Sequence, residues 1–140
     1  MKAFIGKNLK LAGYQVTKNN NGELTETFAV FAKKDVDVEN LPELSMCDLL
    51  QGKDQPYFSV YSANLINLIL AATIEDMSHA GYKGQVKEFE NVMNNFSKEE
   101  LQEILMNITK LDVSKVQTPN GADISIYLPV TGAKPQVKLK

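Results

Sequence analysis

The sequence predicts an α+β fold, in which an antiparallel sheet built from an N-terminal and a C-terminal hairpin packs against a layer of three main helices plus one short helix. Three observations lead to this prediction. Strand-like segments flank an Asn-Gly turn near the N-terminus, and a second Asn-Gly turn precedes an alternating segment near the C-terminus. Between them, residues 57–111 show apolar residues at helical spacing.

The first hairpin is predicted over residues 9–33. Residues 9–17 and 23–33 have strand character, and the intervening Asn-Asn-Asn-Gly tolerates the positive φ of a tight turn. The apolar phase of the first strand changes at Ala12 and Gly13, which indicates a β-bulge. In the second strand, alternation predicts a core face of Leu24, Phe28, Val30 and Ala32 and an outer face of Thr25, Thr27, Ala29 and Phe31. Residues 1–5 are compatible with a short edge strand.

The central helix is predicted as one long, mostly buried element over residues 57–81. Ser62 is the predicted N-cap, because its hydroxyl can accept a hydrogen bond from the amide of Asn64 or Leu65. Gly81 can take the left-handed conformation that ends a helix. Apolar side chains cover most of the circumference, which predicts packing on more than one side.

Two amphipathic helices are predicted after the central helix. Residues 85–95 place apolar residues at helical spacing, and the sequence Ser97-Lys98-Glu99-Glu100 is a capping box for the next helix. A short helix is predicted over residues 41–50, where Cys47 would face inward as a small core residue.

The C-terminal hairpin is predicted from residues 115–118, a turn at 119–122 and a strand over 123–130, one face of which is core. Pro129 indicates that this strand ends at an edge of the sheet. With 140 residues, one domain is expected. Its parts are an N-terminal hairpin (1–34), an acidic connection with the short helix (35–56), the helical layer (57–112), the C-terminal hairpin (113–131) and a tail (132–140) that is loosely held or available to pair.

Composition excludes several classes of function. All basic residues are lysine, and 15 of them against 17 acidic residues give a formal charge of −2, which disfavours sequence-specific binding to duplex DNA. Polar residues interrupt the uncharged stretch 57–74, so no membrane span is expected. The single cysteine and the absence of a secretory signal predict a reducing, cytoplasmic setting. The missing arginine and the many asparagines indicate an AT-rich genome, that of a low-GC bacterium or its phages.

Catalytic motifs are missing from the sequence. No G-x-G-x-x-G, Walker A or G-x-S-x-G pattern is present, and no catalytic residue, metal site or cofactor is predicted. Glu75, Asp76 and His79 form the only cluster of titratable side chains near a helix that is a candidate for catalysis. Within it, His79 is either a base or metal ligand or, as we prefer, a cation at a helix C-terminus. Lys83 could hold an anion at the start of the following helix.

The outer face of the sheet is the predicted interaction surface. It was expected to carry three aromatic rings with two lysines beside them: Tyr14, Phe31 and Tyr127 with Lys10 and Lys33. Such a face is compatible with ordinary half-exposed strand residues, with a protein or dimer contact, or with a platform for stacked bases. A second predicted contact is the acidic loop that carries Asp35, Asp37 and Glu39.

The function expected from these observations is a non-enzymatic protein-interaction module. An inhibitor or adaptor from a phage or mobile element, which binds a host protein, fits this expectation, and self-association is also compatible with it. The alternative is a small protein that binds single-stranded DNA or RNA. The third reading is an enzyme that uses His79.

Overall fold

The computed structural model describes residues 4–35, 58–71, 74–79, 81, 86–113, 116, 121–130 and 135–139. These residues form an α+β fold, as predicted. The short helix predicted over 41–50, together with Cys47 and Lys83, lies outside the described residues.

The sheet has five antiparallel strands in the order β3-β2-β1-β4-β5. The strands are β1 (Leu9–Lys18), β2 (Leu24–Lys33), β3 (Phe58–Ser62), β4 (Ile124–Pro129) and β5 (Gln136–Leu139). Because β1 pairs with both β2 and β4, the N-terminal and C-terminal hairpins join into one sheet.

Four helices lie in the described part of the chain: α1 (Ala63–Ala71), α2 (Ile74–His79), α3 (Val86–Asn95) and α4 (Lys98–Thr109). Helices α1, α3 and α4 pack on one face of the sheet, and α2 lies against α3. The helix side of the core contains Phe96, which directly follows α3, and buried residues from all three packed helices: Ile66, Ile69, Phe89, Val92, Leu101, Ile104 and Ile108. The amphipathic patterns predicted for α3 and α4 are therefore confirmed.

The strands, the turn and the bulge predicted for the first hairpin are confirmed. The register of β1 against β2 shifts between Leu11 and Gly13, which is the predicted bulge. The turn contains Gly22 at φ +84°. The Asn19 side chain fixes the turn by accepting hydrogen bonds from the backbone amides of Asn21 (3.0 Å) and Glu23 (2.9 Å). Ile5 forms an isolated antiparallel bridge to Lys10, so the expected N-terminal edge pairing is short.

The prediction of one helix over residues 57–81 is wrong at its start. Phe58–Ser62 is strand β3, which pairs with the outer edge of β2. Its aromatic and β-branched residues, Phe58, Val60 and Tyr61, suit a strand, and the absence of charges left no signal of the boundary. Ser62 is nevertheless the N-cap of α1, since its Oγ accepts from the Leu65 amide at 3.1 Å. Gly81 has φ +90°, as expected for a residue that ends a helix.

The C-terminal hairpin also differs from its prediction. In the described part of the chain, β4 pairs with β1 and with β5, so the tail, predicted to be loosely held or available to pair, supplies an edge strand. Val116 lies in a bend, and the other residues of the predicted strand 115–118 are outside the described residues. Pro129 lies beyond the part of β4 that pairs with β5, which agrees with the edge position expected for a proline.

The capping box at the start of α4 is present as predicted. Ser97 Oγ accepts from the Glu100 amide at 3.1 Å, and the Ser97 amide donates to Glu100 Oε1 at 3.1 Å. We expect Ser97→Ala to lower the free energy of unfolding by about 0.5–2 kcal/mol, because the Glu100 amide loses its partner. Urea denaturation followed by circular dichroism measures the change. Ser59→Ala is a control without a cap role, and an equal or smaller loss for Ser97→Ala would show that the box does not stabilise the helix.

Candidate interaction surfaces

The predicted outer aromatic face does not exist in the structure. Tyr14 and Phe31 are 1% and 0% exposed, and both face the helices. The Phe31 ring packs against Tyr61 and Phe96, with ring centroids 5.7 and 5.0 Å apart. The prediction that these two rings lie on an exposed surface is therefore wrong.

Tyr14 is held in the core by its hydroxyl. The hydroxyl donates to the carbonyl oxygen of Ile104 in α4 at 3.5 Å. Burial raises the pKa of the Tyr14 phenol, and a hydrogen bond with the Asn107 side chain offsets part of this rise. The residue thus joins the middle of the sheet to α4.

Tyr127 lies on the opposite side of the sheet from Tyr14 and Phe31. This side, here called the back face, carries an apolar cluster of Ala12, Val30, Ala32 and Tyr127. Tyr127 is 4% exposed, and burial raises its pKa to about 12. The three predicted rings are therefore divided between two buried faces, and the predicted single platform is wrong for Tyr127 as well.

Gly13 makes room for the Tyr127 ring. A Cβ atom on Gly13 would lie 2.9 Å from two ring atoms of Tyr127 and 2.5 Å from the carbonyl oxygen of Leu128. No side chain fits at these distances, so the ring packs over bare backbone beside the bulge. The glycine that signals the bulge in the sequence also explains why Tyr127 is buried.

The face assignment failed because the end of β2 is buried on both sides. Ala29, Val30, Phe31 and Ala32 are all fully buried, whereas Leu24, which was assigned to the core, is exposed. Alternation predicts the inner face only where the other face is solvated. The threonines at the start of β2 indicated an outer face, and the alternation continued from them wrongly assigned Phe31 to that face.

A buried polar network, which the sequence analysis did not identify, fixes the N-terminal segment to α3. Asn95 Oδ1 accepts from the backbone amides of Asn8 (2.7 Å) and Leu9 (3.0 Å), and its Nδ2 donates to the Asn91 carbonyl at 2.8 Å. Asn91 Nδ2 donates to the Tyr61 hydroxyl at 3.2 Å. The contacts of Asn95 with Asn8 and Leu9 span 87 and 86 residues of sequence, so no local pattern signals them.

Lys33 and Asp35 are the predicted contact residues that the structure leaves exposed. Lys33 ends β2, and Asp35 follows it in a turn. Asp37 and Glu39, the other two residues of the predicted acidic contact, lie outside the described residues. The role of this acidic loop stays a prediction.

His79 and Glu75 share a helix face, as their spacing predicts. His79 Nε2 lies 3.7 Å from Glu75 Oε1, and both side chains are largely exposed. Among the described residues, no group of three or more histidine, cysteine, aspartate or glutamate side chains is placed to hold a metal ion. The geometry is that of an exposed contact between two side chains one turn apart on a short helix.

The edge of the sheet at β5 exposes an apolar side chain, and the sequence around it is basic. In the described part of the chain, β5 pairs on one side only, with β4. Val137, which lies opposite Ile126, is 45% exposed. Residues 132–140 contain three lysines and no acidic residue.

Comparisons of the chain with models of protein families, with curated proteins and with solved structures find no match. Within the described ranges, none of the helices is both long enough and apolar enough to cross a membrane. Any functional proposal therefore rests on the geometry of the chain itself.

Proposed function

We propose that this chain is a non-enzymatic protein-binding module that takes an extended segment of its partner along β5. The observation that carries the proposal is the exposed Val137 in a strand at the sheet edge. An edge strand offers backbone amides and carbonyls that an added strand can pair with, while alternate side chains select the partner.

The charge of the edge favours an acidic partner segment. The segment 132–140 contains lysines at 134, 138 and 140 and no acidic residue. A second copy of β5 would bring like charges together, which is unfavourable between directly opposed residues. A partner strand with alternating apolar and acidic residues would place apolar side chains beside Val137 and carboxylates near the lysines.

The biological setting that fits this binding is an inhibitor or adaptor from a phage or mobile element, acting on a host protein in the cytoplasm of a low-GC bacterium. The acidic loop with Asp35, Asp37 and Glu39 is proposed as a second contact, with Lys33 beside it. The alternative function, binding of single-stranded nucleic acid, was based on exposed aromatic rings. Tyr14, Phe31 and Tyr127 are buried and offer no surface for base stacking, so these rings do not support it.

Peptide-phage display against the whole chain tests the proposal. We expect selected peptides to alternate apolar and acidic residues and to bind more tightly at low salt, since the contact includes lysines. Val137→Asp should weaken their binding by at least about tenfold, because it removes an apolar contact and adds a repelling charge. Ile5→Asp, a change at another exposed apolar residue, is the matched control and should bind as the wild type does.

Two results would contradict this proposal. One is a set of peptides whose affinity is unchanged by Val137→Asp in a folded protein. The other is tight, salt-sensitive binding to an oligothymidylate, which would restore the nucleic-acid alternative.

A further inference from the structure

Three neutral polar side chains form a row on the back face of the sheet. Gln15, Thr17 and Ser125 are 0%, 3% and 2% exposed. Thr17 lies directly opposite Ser125 in the register of β1 and β4, and Gln15 lies opposite Tyr127. Because residues two apart on a strand share a face, the three side chains are neighbours.

Four buried polar atoms of this row have no hydrogen-bond partner within the part of the chain that the structure describes. They are Gln15 Nε2, Gln15 Oε1, Thr17 Oγ1 and Ser125 Oγ. Buried polar atoms in proteins almost always have partners, and an unmet one lowers stability. Both ends of the buried Asn95 amide have hydrogen-bond partners, so the row on the back face differs from this other buried amide of the described residues.

The register also defines the charge around the row. Glu26 is opposite Thr17 on one side, and Lys138 is opposite Ser125 on the other. The neutral pair is thus flanked in sequence register by one acidic and one basic position. The three side chains of the row are themselves neutral, and a charge buried beside them would have no paired opposite charge among them, so an uncharged ligand fits best.

The chemistry of Gln15 narrows the ligand further. A carboxamide presents a donor and an acceptor side by side in one plane, and it pairs with a group that presents the reverse order. The two hydroxyls can each donate or accept, and Tyr127 adds an aromatic ring beside Gln15. A planar ligand with an amide edge would pair that edge with Gln15, offer its other polar atoms to the two hydroxyls and stack its flat face on a ring.

We propose that Gln15, Thr17 and Ser125 form a binding site for a small, uncharged, planar ligand that carries an amide-type donor and acceptor, of the kind found in pyrimidine bases. This site uses residues other than those of β5, so it goes beyond the proposed function and can fail independently of it. The four atoms are sealed from solvent, so the ligand reaches them through a local opening of the protein. Association is therefore slower than for an open site.

Titration of the whole chain with uracil, followed by NMR of side-chain amides, tests the site. We expect the Gln15 Nε2 proton signals to shift and the melting temperature to rise, since the ligand binds the folded state. Gln15→Met keeps the side-chain length but removes both polar atoms. It should melt at the same temperature as the wild type or a few degrees higher, and should lose uracil binding by at least about tenfold.

Two further variants keep the test decisive. Gln102→Met makes the same change at an exposed position of α4 and should bind uracil as the wild type does. Thr17→Val removes one hydroxyl of the row and should weaken uracil binding as well. The proposal is overturned if uracil leaves the Gln15 signals unmoved, or if both back-face variants bind uracil like the wild type. A melting temperature several degrees lower for Gln15→Met would also overturn it, by showing that the amide has stabilising partners within the protein.

Discussion

Ile69→Asp is expected to unfold the protein at neutral pH. Ile69 is fully buried in α1 and packs in the core between the helices and the sheet. An aspartate there either buries an unpaired carboxylate or gives up its charge, and it also loses the apolar packing of isoleucine. We expect a loss of more than about 4 kcal/mol, against a total stability of roughly 5–15 kcal/mol for an ordinary domain. Far-UV circular dichroism and urea denaturation measure the outcome.

Asn67→Asp is the matched control for Ile69→Asp. Asn67 lies on the exposed side of the same helix, so the same charge two residues away should change stability by no more than about 0.5 kcal/mol. If Ile69→Asp kept the wild-type melting temperature, α1 would not pack on the sheet as the structure shows.

Asn95→Ala is the second large expected effect. It removes the acceptor for the backbone amides of Asn8 and Leu9, which have no strand partner at this point among the described residues and are at least partly buried there. Each unmet donor costs about 1–3 kcal/mol, so we expect a loss of about 2–6 kcal/mol. We also expect faster hydrogen exchange of these two amides, because the N-terminal segment is no longer fixed to α3.

Asn94→Ala separates this network from the helix itself. Asn94 is exposed and adjacent to Asn95, so its replacement should be nearly neutral or slightly stabilising through helix propensity. A loss below about 1 kcal/mol for Asn95→Ala would mean that water satisfies the two amides equally well.

The features that the sequence predicted correctly all depend on short-range chemistry. The turn that contains Gly22, the bulge at Gly13, the caps at Ser62 and Ser97 and the helix end at Gly81 each require a particular residue within a few positions. The α+β class followed from the order of these elements. Such signals do not depend on what packs against them.

The prediction of one central helix failed because the uncharged segment at its start is compatible with both a strand and a helix. Strand β3 and helix α1 are adjacent, and no glycine, proline or charge separates them. Short apolar runs are ambiguous between helix and strand when periodicity is the only guide. Ser62 is the predicted N-cap and marks the true boundary. The residues in front of it, which were predicted as helix, form strand β3.

The candidate surface was predicted only in part. The tail was expected to be available to pair, and β5 is an edge strand with an exposed Val137. The aromatic platform failed because the sheet is buried on both faces around Phe31 and Tyr127, which removes the polar and apolar alternation that identifies a face. The Asn95 network joins residues that are distant in sequence, and no single-sequence pattern reports such contacts.

Amide hydrogen exchange of the whole chain, with and without a selected acidic peptide, is the most direct test of binding along the sheet edge. We expect slower exchange within Gln136–Leu139 when the peptide is bound, because an added strand pairs with the backbone of β5. Exchange within Phe58–Ser62, at the other end of the strand order, should remain unchanged. Protection confined to β3, to the helices or to the residues around Asp35, with no change in β5, would contradict it.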